Sequence, residues 1–252
     1  MQQTLIAGSP ADVTRLDRRF FSGTVIAFAI IFAIGFSWST YVRTRPGAVA
    51  FGGPTLPPIV RWHALVMTSW MLFLILQTSL VRARRTSLHR QLGVVGGVLA
   101  AAVVAFGWLV TFHARPLSIV RSSGLVPVPG SVQFAFIPIE ELIVFTVLVG
   151  LGLYLRRHPA AHKRLMLLGT LALITAGMTR IPLPPVLFIM AWYGVPEAIV
   201  VALLMRHDMV TRRRIHHATL WGGALVVVGA VARFWIAETD WWIALATGRW
   251  LS

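Results

Sequence analysis

Seven apolar stretches, most about twenty residues long, recur along 252 residues and are separated by short polar segments. They run at 21–42, 62–81, 91–113, 134–155, 165–180, 184–205 and 218–237. A helix that crosses the hydrocarbon of a bilayer needs about 20 mostly apolar residues, so each stretch is a candidate span. With 57% hydrophobic and only 12% charged residues, the chain is too apolar for a soluble domain of this size. The expected fold class is therefore all-α: one polytopic membrane helical bundle over 1–252, with a short polar segment at 1–20. The fifth stretch is short and ends at Arg180, where "IPLPP" breaks it before the sixth. The first follows Arg15, Arg18 and Arg19 without a small-residue cleavage site, which reads as an uncleaved anchor.

The net charge of +15 becomes interpretable once the spans are drawn. Fifteen Lys/Arg fall in the N-terminal segment and the connections at 82–90, 156–164 and 206–214, and the other eight fall on the opposite side. Basic residues favour the cytoplasmic side, so seven alternating spans place the N-terminus inside and the C-terminus outside. On this reading the charge meets the anionic headgroups of the cell's inner (cytoplasmic) membrane rather than nucleic acid. With no cysteine, thiolate metal sites, iron–sulfur clusters and covalently attached c-type haem are excluded. Gly/Pro-rich connections at 43–60 and 114–133 lie on the outer side.

Polar side chains inside a bilayer are costly, so each needs a reason. Toward the outer side lie His63, His113, Glu140, Glu141, Arg180 and Glu197. His63, Met67, Trp70 and Gln77 share one face of the second helix, by their spacing of 4, 3 and 7. Glu140 and Glu141 sit about 100° apart around their helix, so both facing lipid is unfavourable. A bundle-interior position is expected for Gln77, Glu140, Glu141, Arg180 and Glu197, with Arg180 or a histidine as carboxylate partner.

Toward the inner side lie His89, His158, His162, His207, Asp208, His216 and His217. His158 and His162 have metal-pair spacing, but Pro159 between them suits a first helical turn and separates their roles. No metal site is assigned, and no catalytic nucleophile stands out. A b-type haem needs two axial ligands, often histidines from neighbouring helices. His63 with His113, or His89 with His162, are the candidate pairs. His89 and His113 are 24 positions apart, about 36 Å along one helix, so both cannot be deep in a hydrocarbon layer of about 30 Å.

The motifs "WHALVMTSWMLFLILQTSL", "SLHRQLGVVGG" and "AHKRLMLLGTLAL…TR" resemble a family of bacterial multi-pass membrane proteins of unknown function. The resemblance covers about residues 61–182 and rests on His63, Gln77, His89, Arg90, Gly93, His162, Arg164, Met166 and Arg180. The layout of helix-end histidines is also similar, in architecture only, to two-haem b-type transmembrane cytochromes, which implies haem binding and electron transport. The leading expectation is a non-catalytic structural, assembly or accessory subunit of a membrane complex. The alternatives are a haem-binding electron-transfer protein, and a membrane enzyme or small transporter with an outer Glu/His/Arg pocket. Asp208 is expected to pair with an arginine or with His216 or His217.

Overall fold

The structure, a computed structural model, describes residues 10–41, 57–113, 132–181 and 183–247. Most of the two Gly/Pro-rich connections expected at 43–60 and 114–133 lies outside these residues. Ten helices follow one another in the described residues: α1 (Pro10–Tyr41), α2 (Pro58–Arg82), α3 (Thr86–His113), α4 (Val132–Tyr154) and α5 (Pro159–Leu171), then α6 (Ile174–Met178), α7 (Pro185–Trp192), α8 (Val195–Arg212), α9 (His217–Ala237) and α10 (Asp240–Thr247). The described residues fold as helices without strands, and the long apolar helices make the chain multi-pass. Helices α1, α2, α3, α4 and α9 are each long and apolar enough to cross a membrane, and α7 with α8 add a sixth span if counted together.

Three features refine the expected spans. First, α1 begins at Pro10 rather than near residue 21. No glycine or proline interrupts 11–20, so the helix runs on through its polar first turns. Second, the fifth expected span is two helices. After Leu171 the ladder tightens, with the Leu173 N–H bonding the Thr170 carbonyl three residues back, and α6 resumes at Ile174. Third, the sixth is bent by 61° between α7 and α8. The bend falls at Gly194, whose φ of +77° is open to glycine at little cost. A Cβ there would also lie 2.7 Å from the Ala230 Cβ, so glycine serves both the turn and the approach of α9.

The core sits where α1, α2, α4, α5 and α9 meet, around Phe28, Trp70, Phe145, Leu148, Leu168, Leu171 and Val226. Trp70 is 1% exposed; its ring meets Phe145 edge-on at 5.3 Å, and its Nε1 donates to the Thr170 hydroxyl at 3.4 Å. Outward faces stay apolar, with Val94, Val98, Trp221, Val228 and Trp235 exposed. In water such a surface would aggregate, whereas a bilayer solvates it. Near the C-terminus α10 packs on α4, where the Trp242 Nε1 donates to the Val132 carbonyl at 2.9 Å.

At Gly35 on α1, a Cβ would lie 2.0 Å from the carbonyl oxygen of Gly177 on α6, whereas one at Gly23 would meet nothing. Gly35→Ala should therefore destabilise the detergent-solubilised protein by about 1–3 kcal/mol, and Gly23→Ala should leave it unchanged or slightly raise it. Thermal unfolding followed by circular dichroism checks the contrast; equal effects would contradict this packing.

Candidate functional site

The basic ends of the helices converge. Asp17 on α1 pairs with Lys163 on α5 and accepts a hydrogen bond from His207 on α8, with 2.7 Å between the His207 Nε2 and the carboxylate. Phe20 stacks on the His207 ring at 4.3 Å and Phe21 meets it edge-on at 5.8 Å. The Lys163 ammonium lies 4.6 Å from the Phe21 ring centre, a cation–π contact that fastens α1 to α5.

Beneath that layer lies Arg164, whose side chain is 0% exposed, as is that of Asp208. Arg164 donates to both carboxylate oxygens of Asp208: from Nε at 3.0 and 3.2 Å, and from Nη2. Its Nη1 donates to the Ala160 carbonyl at 2.7 Å. Asp208 Oδ2 also accepts the His216 backbone N–H at 3.0 Å and the Thr219 hydroxyl at 2.6 Å. One carboxylate thus joins α5, α8 and the first turn of α9, where the positive end of a helix favours an anion. A buried ion pair is tolerated when each partner's remaining donors and acceptors are filled, and here they are filled by backbone and hydroxyl groups.

His216 caps α9: its Nδ1 accepts the Ala218 N–H at 3.0 Å. Partial burial holds its pKa below the ordinary value, and the charges of Arg164 and Arg212 push the same way. His217 beside it is exposed.

His89 near the start of α3 and His162 on the first turn of α5 face each other, with ring centres 6.2 Å apart and planes inclined at 69°. The His162 Nδ1 lies 2.8 Å from the Gly152 carbonyl. His158 is the exposed N-cap of α5, with Pro159 following it in the first turn. Gln77 is buried with Met67, Trp70 and Leu74 on the inward face of α2, while His63 near the start of α2 is half-buried. His113 closes α3, and its side chain lies outside the described residues. His63 and His113 are therefore not brought together by any described contact.

At the opposite end three carboxylates gather around α9. Arg233 Nη1 lies 3.4 Å from both the Glu140 Oε2 and the Glu141 Oε1 on α4. Gly229, one turn earlier, makes room for Glu140, since a Cβ there would sit 2.3 Å from its Oε1. Glu197 on α8 is 1% exposed; its Oε1 accepts the Thr175 hydroxyl, and its Oε2 is buried with no hydrogen-bond partner among the described residues. Arg180 donates to the Ala176 carbonyl and lies 4.7 Å from the Phe36 ring centre. Sequence reasoning named Arg180 or a histidine as partner for these glutamates and passed over Arg233. The signal was a lone arginine inside the apolar run "VVVGAVARFWIA".

Among the described residues no group of three or more His, Cys, Asp or Glu converges to hold a metal ion. No family model matches the sequence, and neither a curated protein nor a solved structure matches it.

Two outcomes follow. Arg233→Met removes the cation touching both glutamates and should cost about 3–5 kcal/mol of stability, the usual penalty for stranding a buried charge; Arg233→Lys should recover part of it in the same unfolding assay. His216 has a lowered folded-state pKa, so its contribution is complete above the ordinary histidine value of about 6.5 and is lost as pH falls through that value toward the folded one. Between pH 7.5 and 5.5 the melting temperature should fall, and His216→Asn, which caps without titrating, should flatten part of that fall.

Proposed function

We propose that this chain is a non-catalytic accessory or assembly subunit of a complex in a bacterial inner membrane. The observation that carries the reading is the use of its buried charges. Arg164, Asp208, Asp17, Lys163 and His207 are spent on joining α1, α5, α8 and α9. Such groups are held by contacts within the bundle rather than aimed into a cleft, and no nucleophile stands beside a base among them. The resemblance to bacterial multi-pass proteins of unknown function agrees with this reading and supplies no activity.

The proposed topology is seven spans with the N-terminus cytoplasmic, α5 with α6 forming the fifth span and α7 with α8 the sixth. It is supported by the Lys/Arg asymmetry. It is supported too by contacts that gather the start of α1, the start of α5 and the end of α8, all basic, at one end. The basic connections would bind anionic headgroups there, and the exposed apolar faces would contact lipid or partner subunits.

A reporter fused after Ser252 should read as external; a cytoplasmic reading would overturn the seven-span topology. For function, membrane proteomes of a deletion strain and complemented strains should be compared. The subunits of one complex should fall together in the deletion. Wild type, Glu140→Gln and Glu197→Gln should restore them alike. A membrane enzyme or transporter working through the glutamates would leave subunit abundance intact while losing an activity in both variants, and that result would sink the proposal.

A further inference from the structure

His89 and His162 are half-buried at the basic end and face each other. The His162 Nδ1 faces the Gly152 carbonyl at 2.8 Å. A carbonyl oxygen only accepts, so this nitrogen carries the hydrogen, and in the neutral ring Nε2 keeps its lone pair. The His89 Nδ1 is buried without a hydrogen-bond partner. His162 is therefore set, by a backbone carbonyl from α4, as the donor of one lone pair, and the His89 ring with its buried nitrogen faces it. A carbonyl or carboxylate on the second nitrogen commonly orients a metal-ligating histidine.

The spacing fits the same use. A metal ion flanked by two imidazoles, with each nitrogen about 2 Å away, puts the ring centres about 6 Å apart. The observed separation is 6.2 Å. On α2 the Gln77 side chain is 7% exposed, and its Oε1 and Nε2 are both buried without partners. Buried polar atoms of this kind are costly unless something completes them.

We propose that His89 and His162 form a two-imidazole site for a transition-metal centre. The shared chemistry is imidazole coordination of a d-block ion. With no third His, Cys, Asp or Glu converging among the described residues, the remaining ligands come with the metal or from outside the histidine pair. Two sources meet that condition: the iron of a haem, whose macrocycle fills the other positions, and a free ion of low coordination completed by water. The proposal goes beyond the accessory-subunit reading and does not depend on it.

The experiment uses the full-length chain, purified in detergent with an affinity tag that contains no histidine. Metal content is measured by mass spectrometry and the visible spectrum is recorded. The protein is then titrated separately with haemin, Cu(I) and Zn²⁺. Wild type should take up one equivalent of one of these: a Soret band selects haem, and a colourless protein with one equivalent of copper or zinc selects the free ion. His89→Asn and His162→Asn should each weaken that binding at least tenfold. His158→Asn, at the exposed N-cap four residues earlier, should not change it. Size-exclusion profile and melting temperature report the fold of each variant. Wild type that binds none of the three probes overturns the proposal, as does binding that survives both substitutions. These outcomes leave the accessory-subunit reading standing, and loss of complex abundance leaves this one standing.

Discussion

The contact between Arg164 and Asp208 is the constraint around which the basic end of the bundle is arranged. Both side chains are 0% exposed, so neither charge is repaid by water. Stranding either would cost several kcal/mol, and the bundle meets that demand by bringing three further groups to the carboxylate and guanidinium. Ala160 supplies a carbonyl, His216 an amide and Thr219 a hydroxyl. The start of α5, the end of α8 and the start of α9 can therefore occupy only one mutual arrangement. Asp17 with Lys163 and His207 then clamps α1 over the same point.

That fixed end sets the shape of the rest. Helix α5 starts at the ion pair and is inserted among α1, α4 and α9, so its residues Leu165, Leu167, Leu168 and Leu171 are buried on nearly every side. A helix so enclosed needs little length, and a short α6 continues it where α1 comes within backbone contact at Gly35 and Gly177. The opposite end is held differently. There Arg233 lies between Glu140 and Glu141 at 3.4 Å rather than in a close bidentate pair, and Glu197 accepts the Thr175 hydroxyl. One end of the bundle is closed by a close ion pair; at the other, Glu140 and Glu141 share Arg233.

Much of this architecture was legible from composition and spacing. The apolar stretches mark the long helices because hydrocarbon thickness sets a length that periodicity can find. The inward face of α2 follows from a helical period that puts Met67, Trp70 and Gln77 together. The nearness of His89 and His162 follows from two helices that open at the same end. Other features depend on packing that no local pattern encodes. The step between α5 and α6 falls at Ala172 and Leu173, neither of which breaks helices. The bend before α8 did have a signal, the Gly194 and Pro196 of "YGVPE", but an unbroken apolar run concealed it. Arg233 finds Glu140 and Glu141 across more than ninety residues of chain, so its partner is set by the α4–α9 contact and not by neighbouring sequence. Charge alone pairs Asp208 with an arginine or with His216 or His217; that Arg164 and the His216 amide share it required the fold.

The most direct measurement is a double-mutant cycle at the buried pair, read as unfolding free energy in detergent. Arg164→Met and Asp208→Leu, made separately, each strand one charge in the bundle and should each cost about 3–5 kcal/mol. The double substitution removes both charges together and should cost markedly less than the sum, leaving a large coupling energy. Additive losses, or single substitutions that each cost less than about 1 kcal/mol, would show that Arg164 and Asp208 do not organise this end of the bundle, and would contradict the account.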